Sequence, residues 1–411
     1  MHDILIIGGG YAGLWAACSA ARQASETGQP LRIALIATTP QFTARVRLYE
    51  AGLAPEDARM PLPPLLDAVG VAFLCGDVDG VHAQADGSLR AVTRDGRTLD
   101  ARAMVLAAGS RVARPAIPGL AEHAFDIDMA DAADRTWERL HALAPGAQVD
   151  IVGGGFTGIE LACELAGWRR RNNPGLHLRL SDAMTIASGY APEARSAVLD
   201  SLAALGVECV ERAALAHCEP GSLRFGSGSP RPSDMLIWTA GLVPSPLTAQ
   251  VAQAFAVPRL EDGRLRVTSQ LALPGVAAFF AAGDVAAASV EGSELTTMSC
   301  QHALSTGTFA GHNAVHRVRG LPALEFVPPN PYGTCLDLGP AGAMITRGFR
   351  RELVAVGVAV KATKQHINRT VIVPPLAGGR AALFAVADVG TPARGAAMPD
   401  HPPTQQAATV T

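Results

Sequence analysis

Two glycine triplets carry the first chemical signal. Gly8, Gly10 and Gly13 lie in ILIIGGGYAG, and Gly153, Gly155 and Gly158 lie in VDIVGGGFTGIELACEL. Each is a G-x-G-x-x-G that follows an apolar run and precedes a run rich in small residues. Every glycine of the second is displaced by 145 residues from its counterpart in the first. The first glycine of such a triplet permits a tight turn, the second lets the backbone approach a diphosphate, and the third lets the helix pack closely on its strand. The free N–H groups and the positive dipole end of the helix then hold the anion. One triplet is a weak signal. Two, each between a strand and a helix, predict two dinucleotide sites, with Tyr11, Ala12 and Thr157 in the turns beside the ligands.

The ribose position comes next. A second strand that ends in Asp or Glu about 20 residues after the last glycine supplies an acceptor for the ribose hydroxyls and repels a 2′-phosphate. LHLRLSD ends at Asp182, 24 residues past Gly158, which favours NAD over NADP. LRIALIAT brings Ala37 to the matching place, 24 residues past Gly13. The acid is missing there, and Thr38, backbone groups or water must serve instead.

These residues need strands and helices to position them. RAMVLAAGSRVARPAIPG (102–119) and DMLIWTAGLVPSP (234–246) each end an apolar run in Ala-Gly, at Ala108-Gly109 and Ala240-Gly241, and LPGVAAFFAAGDVAA (273–287) ends its run in Gly283-Asp284. The order β-α-β, strands, β-α-β, strands, one return strand and a helix predicts an α/β fold with two Rossmann-like dinucleotide-binding domains. The first domain is discontinuous, 1–116 plus 265–325. The second, 117–264, is inserted in it. Residues 326–394 form a C-terminal cap or interface, and 395–411, made largely of Pro, Gln, Thr and Ala, form a disordered tail.

Composition narrows the function classes. The chain has 411 residues, 48% of them hydrophobic and 17% charged, enough for large cores. A net charge of −3 gives no basic field for a polyanion, so nucleic acid is not an expected partner. The 34 basic residues include two lysines, Lys361 and Lys364; the rest are arginines. Seven scattered cysteines without a CxxC pair fit a reducing cytosol and no structural metal. Residues 4–21 are uncharged, but no basic stretch precedes them and three consecutive glycines interrupt them, so they are read as the first strand–turn–helix rather than a leader.

At this point the chain resembles the two-dinucleotide flavoproteins of the pyridine nucleotide-disulfide oxidoreductase superfamily, and within them type II NADH dehydrogenases and their bacterial relatives. GGGYAG (8–13) resembles the FAD fingerprint, VLAAGS (105–110) the strand that contacts flavin, GGGFTGIE (153–160) the NADH fingerprint and AAGDVAA (281–287) the second FAD motif. The resemblance implies that Asp284 hydrogen-bonds the ribityl chain, that Gly76-Asp77-Val78 lies near adenine and that Glu160 lies near the nicotinamide. Two departures matter. The redox CxxxxC of the disulfide reductases has no counterpart in RVRLYEAGL (45–53). The quinone-linked stretch AQxAxQQG reads CQHALSTG (300–307), which keeps Gln301, Ala303 and Gly307 and replaces two glutamines by Ser305 and Thr306.

The expected function is FAD-dependent hydride transfer from NADH to a second acceptor, a quinone or quinone-like molecule by resemblance. The alternatives are a flavoprotein reductase for an iron–sulfur protein or a biosynthetic metabolite, and a non-catalytic nucleotide-binding regulator, which Ala37 motivates. Cys300 and Cys335 raise sulfide chemistry as a further alternative. His302, beside Gln301, is a candidate proton donor, set against a hydrogen-bonded helix neighbour. Arg45 and Arg47 are candidates for FAD phosphate or for the acceptor entrance. RGFRRELVAVGVAVKATKQHINR (347–369) is basic and partly apolar, and reads either as an amphipathic helix touching a membrane surface or as a helix packed on the core. The expected location is cytoplasmic, with peripheral contact on the inner membrane face and homodimerisation as open options.

Overall fold

The computed structural model describes residues 1–53 and 55–390. The tail expected over 395–411 lies outside them. Its first sheet is built from β1 (His2–Ile7), β2 (Ile33–Ala37), β3 (Ala72–Cys75) and β4 (Thr98–Leu106), all parallel in the order β4-β1-β2-β3. Ile4, Leu5 and Ile6 of β1 are fully buried, because helices or strands cover both faces of this sheet. Between β1 and β2 runs α1 (Tyr11–Glu26).

The second sheet repeats the plan. It holds β5 (Gln148–Val152), β6 (His177–Ser181) and β7 (Met235–Trp238), parallel in the order β7-β5-β6, with α2 (Phe156–Asn172) between β5 and β6. The chain then returns to the first sheet, where β8 (Val276–Ala281) pairs with β4. The helix that follows, α3 (Cys300–Arg319), lies along α1 at close range. The approach depends on glycine. A Cβ at Gly307 would fall 2.3 Å from the Ala12 carbonyl oxygen, and one at Gly311 would fall 2.1 Å from that of Ala16.

The C-terminal part differs from the expected amphipathic helix. Residues 333–357 form an antiparallel sheet of β9 (Gly333–Asp337), β10 (Ala343–Arg347) and β11 (Glu352–Gly357), and only then does a short helix, α4 (Lys361–His366), follow. Leu353, Val354 and Val356 favour a strand, and Gly357 at φ +120° ends it, so a continuous helix over 347–369 does not form. Leu336, Leu338 and Met344 of this sheet pack into the same core as Ile159, Leu161 and Leu165 of α2. Among the described residues no helix is long and apolar enough to cross a membrane.

Candidate active site

The two glycine turns are near copies of each other. Gly8 and Gly153 sit at φ +116° and +123°, where L side chains are disfavoured. A Cβ at Gly13 or Gly158 would fall 1.8 Å from the carbonyl oxygen of Gly8 or Gly153. These glycines close the fold. Gly10 and Gly155 behave differently: a Cβ on either would meet no atom within 4 Å. Both precede a helix N-terminus at ordinary backbone angles (φ −84°, ψ −161° and φ −85°, ψ −167°). Each turn therefore leaves the backbone open to close approach at the place where a diphosphate fits.

Asp182 is fastened beside the second turn. Its two carboxylate oxygens accept from the Gly154 and Met184 N–H groups, each at 2.7 Å. Beside the first turn, Ala37 is buried and Thr38 is exposed. Val78, read as an adenine neighbour, is buried on the strand Val78–Ala83, and the Gly76 N–H donates to the Ala37 carbonyl at 2.9 Å. Ala108 backs the Gly8 turn, and Gly241, at φ +76°, accepts from the Ala113 N–H at 3.0 Å.

A cavity of about 410 Å³ lies where the two sheets meet. It brings together Gly10, Tyr11, Ala12, Arg45, Gly109, Gly283, Asp284 and Gln301 from the first nucleotide region with Thr157 from the second. The Tyr11 hydroxyl and Gln301 Oε1 are buried there without a hydrogen-bond partner, as groups awaiting a polar ligand are. Asp284 accepts from the Ser110 hydroxyl at 2.6 Å; burial nevertheless pushes its carboxyl above the ordinary range. Arg45 pairs with Asp128 and donates to the Ser110 carbonyl at 3.0 Å, so it braces the cavity wall. Arg47 is buried against Glu50.

His302 does not face this cavity. It is 1% exposed, its Nδ1 lies 3.0 Å from the Thr297 N–H, and its ring stacks on Tyr332 at 5.0 Å. Burial lowers its pKa to about 4, which leaves the imidazole neutral at pH 7. This geometry argues against the proton-donor reading and favours a stacking role. Thr306, which replaces a glutamine of the quinone-linked stretch, accepts from the Gly283 N–H at 2.9 Å and so steadies the Gly283-Asp284 turn.

The ion pair at the inner end of the site was not foreseen. Glu160 and Lys364 are 3% and 4% exposed, and Lys364 Nζ lies 2.8 Å from Glu160 Oε1. The Asp337 N–H donates to the same oxygen at 2.9 Å. The Asp337 carboxylate accepts from the Tyr49 hydroxyl at 3.0 Å and pairs with Lys361. Burial pushes the Glu160 carboxyl up to about 7, against the opposing pull of Lys364. Burial also works against the Lys364 ammonium, yet Glu160 holds its pKa above the ordinary value. A second, polar cavity of about 360 Å³ lies behind the pair and shares Lys364 and Asn368 with the first. The sequence signal for this pair was the scarcity of lysine: both lysines of the chain belong to this cluster.

The family model described as pyridine nucleotide-disulphide oxidoreductase matches residues 2–307. The chain belongs to that family. It is a flavin oxidoreductase that uses FAD and NAD(H). An NADH dehydrogenase-like protein of Mycobacterium tuberculosis is 39% identical over 402 residues, covering 94% of this chain and 98% of the relative. A demethylphylloquinone reductase of Synechocystis is 27% identical over 357 residues, covering 84% and 86%. Among solved structures, the sulfide:quinone oxidoreductase of Aquifex aeolicus (TM-score 0.75, 18% identity, 94% and 93% covered) shares the fold. So does NDH2 from Plasmodium falciparum in complex with NADH (TM-score 0.74, 12% identity, 94% and 97% covered). All seven cysteines are free.

Proposed function

We propose that this protein is an FAD-dependent NADH dehydrogenase that delivers electrons to a quinone-type small molecule. In this reading the Gly8–Gly13 turn, Asp284 and the Gly109 strand end hold FAD, and the Gly153–Gly158 turn and Asp182 hold NADH. Bound FAD supplies the two-electron relay between the nicotinamide and the second acceptor. The observation that carries the acceptor is the make-up of the cavity lining. It holds apolar Trp15, Leu304, Phe309, Ile367 and Ile372 together with Lys364 and Gln301, whose Oε1 is buried without a partner. A flat ring with polar oxygens and an apolar tail matches both parts. The names of the mycobacterial and cyanobacterial relatives support the same reading.

Reduction of a quinone by NADH consumes one proton from solvent besides the hydride. Lys364 and Glu160, with a proton affinity near neutrality at Glu160, suit a group that holds that proton beside the acceptor. Sulfide chemistry is disfavoured by the same site. Cys300 and Cys335 line the cavity, but burial pushes their thiols to about 11 and about 12, and a thiolate is the reactive form.

The test is anaerobic. The purified yellow protein should bleach faster with NADH than with NADPH, and the bleached form should recover colour on addition of a short-chain naphthoquinone or benzoquinone. Recovery with a ferredoxin but with neither quinone would replace the acceptor. A protein that binds no flavin would sink the dehydrogenase reading itself.

A further inference from the structure

The turn between β10 and β11 holds an arginine in a left-handed conformation. Arg351 closes the turn by donating its N–H to the Gly348 carbonyl at 3.0 Å, and its φ is +50°. That is the left-handed region, which glycine occupies freely and a residue with a Cβ occupies under strain. Strain of this kind persists where the surroundings or a function fix it.

The side chain reaches across to the second nucleotide region. Its guanidinium lies 4.8 Å from the centre of the Tyr190 ring, and a Cβ at Gly189 would be 3.3 Å from Arg351 Nη1. The loop that carries Gly189 and Tyr190 is tied to the glycine turn itself, since the Ala187 N–H donates to the Gly154 carbonyl at 2.9 Å. Arg351 also lines the large cavity together with Phe156 and Thr157, the first residues of α2. A half-buried cation and the first residues of α2 thus line one cavity.

Its charge rests on the Tyr190 ring and meets no carboxylate among the described residues. Arg45, Arg47, Arg179 and Arg195 each pair with a carboxylate, whereas Arg351 pairs with none among the described residues. Its aromatic support, Tyr190, is 7% exposed, and the Tyr190 hydroxyl is buried without a partner. From the same turn Phe349 stacks on Tyr332 at 4.9 Å, which anchors the turn on the opposite wall. The guanidinium thus stands against the Tyr190 ring while Phe349 fixes the turn that carries it.

We infer that Arg351 is a dinucleotide-binding residue supplied by the C-terminal sheet, whose guanidinium pairs with the diphosphate of NADH in the Gly153–Gly158 turn. The inference rests on the reading of that turn as the NADH site. A planar guanidinium presents paired donors that match phosphate oxygens. The α2 N-terminus supplies backbone N–H groups from one side, and Arg351 supplies full positive charge from another. The C-terminal sheet then has a share in substrate binding besides covering the core.

The test uses the holoenzyme and two variants, Arg351→Gln and Arg351→Gly. ADP-ribose is the probe, because it carries the diphosphate and cannot reduce flavin; adenosine is the control without diphosphate. Binding is read by calorimetry at two salt concentrations, and thermal stability is read alongside. Both variants are expected to bind ADP-ribose at least tenfold more weakly and with a shallower salt dependence. Adenosine binding is expected to stay the same. KM for NADH should rise by a similar factor while kcat at saturation changes little. Arg351→Gly should melt no lower than wild type, because glycine accepts the φ of +50°. Unchanged ADP-ribose affinity in both variants would overturn the inference, as would weakened affinity that merely follows a lower melting temperature in both. A raised KM for the quinone with unchanged ADP-ribose binding would assign Arg351 to the acceptor instead and overturn it too. If wild type itself fails to bind ADP-ribose, the NADH reading of the turn fails first.

Discussion

Glu160 and Lys364 show how two residues can divide one proton's worth of chemistry. Burial lifts Glu160 from an ordinary 4.5 to about 7, so the protonated native form is favoured. The stability that this gives is complete below the ordinary value and is lost as pH rises through about 7. Relative to Glu160→Gln, which cannot ionise, wild type should therefore lose stability between pH 5 and pH 8; urea unfolding at both ends measures it. Lys364→Met removes the charge that opposes the rise, so the Glu160 limb of the pH–kcat profile should move to higher pH. At this scale the sequence was half legible. Glu160 stands at a fixed distance from a recognisable glycine turn. Lys364 and Asp337 lie more than 170 residues away along the chain, and only folding brings them to Glu160. For His302, neighbours in sequence left a proton donor and a hydrogen-bonded helix residue both open; its neighbours in space are Thr297, Tyr332 and Phe349.

The strand–turn–helix unit invites a sharper experiment, because its glycines do different jobs. Gly13→Ala places a Cβ 1.8 Å from a backbone oxygen and should prevent folding of the first unit, read as loss of soluble protein. Gly10→Ala meets no protein atom, so the chain should fold and yet purify colourless. Gly155→Ala should purify yellow and fail to bleach with NADH. If the Gly10 and Gly155 variants behaved alike, the assignment of one cofactor to each turn would fall. These units were legible because their spacing is dictated by backbone sterics, which act within a few residues. The stretch 347–369 was not. Its basic and partly apolar make-up was read as a helix, whereas Leu353, Ala355 and Val356 pair with Thr346, Ile345 and Met344 of β10, a contact that local pattern does not encode.

In the whole molecule, the C-terminal sheet acts as a keystone between the two nucleotide regions. It buries Leu336 and Met344 against α2, and Asp337 joins Tyr49 of the first region to Glu160 of the second. Its amides at Cys335–Asp337 should therefore exchange hydrogen as slowly as those of α2, and not as those of an appended segment; native-state exchange decides between the two. The rough sequence of units along the chain could be read from motifs. A cap or interface was expected over 326–394, but its form was not legible, since the three short strands carry no motif and gain meaning only from what they touch.

The pairing of both lysines has a practical side. Lys361 and Lys364 are the chain's only side-chain amines, and their side chains are 24% and 5% exposed in ion pairs with Asp337 and Glu160. An amine-reactive ester should therefore label Lys361 before Lys364, and reach Lys364 only when the cavity wall opens. The rate at which the Lys364 peptide is acylated, followed by mass spectrometry, becomes a clock for that opening, with a single other lysine to blur the count.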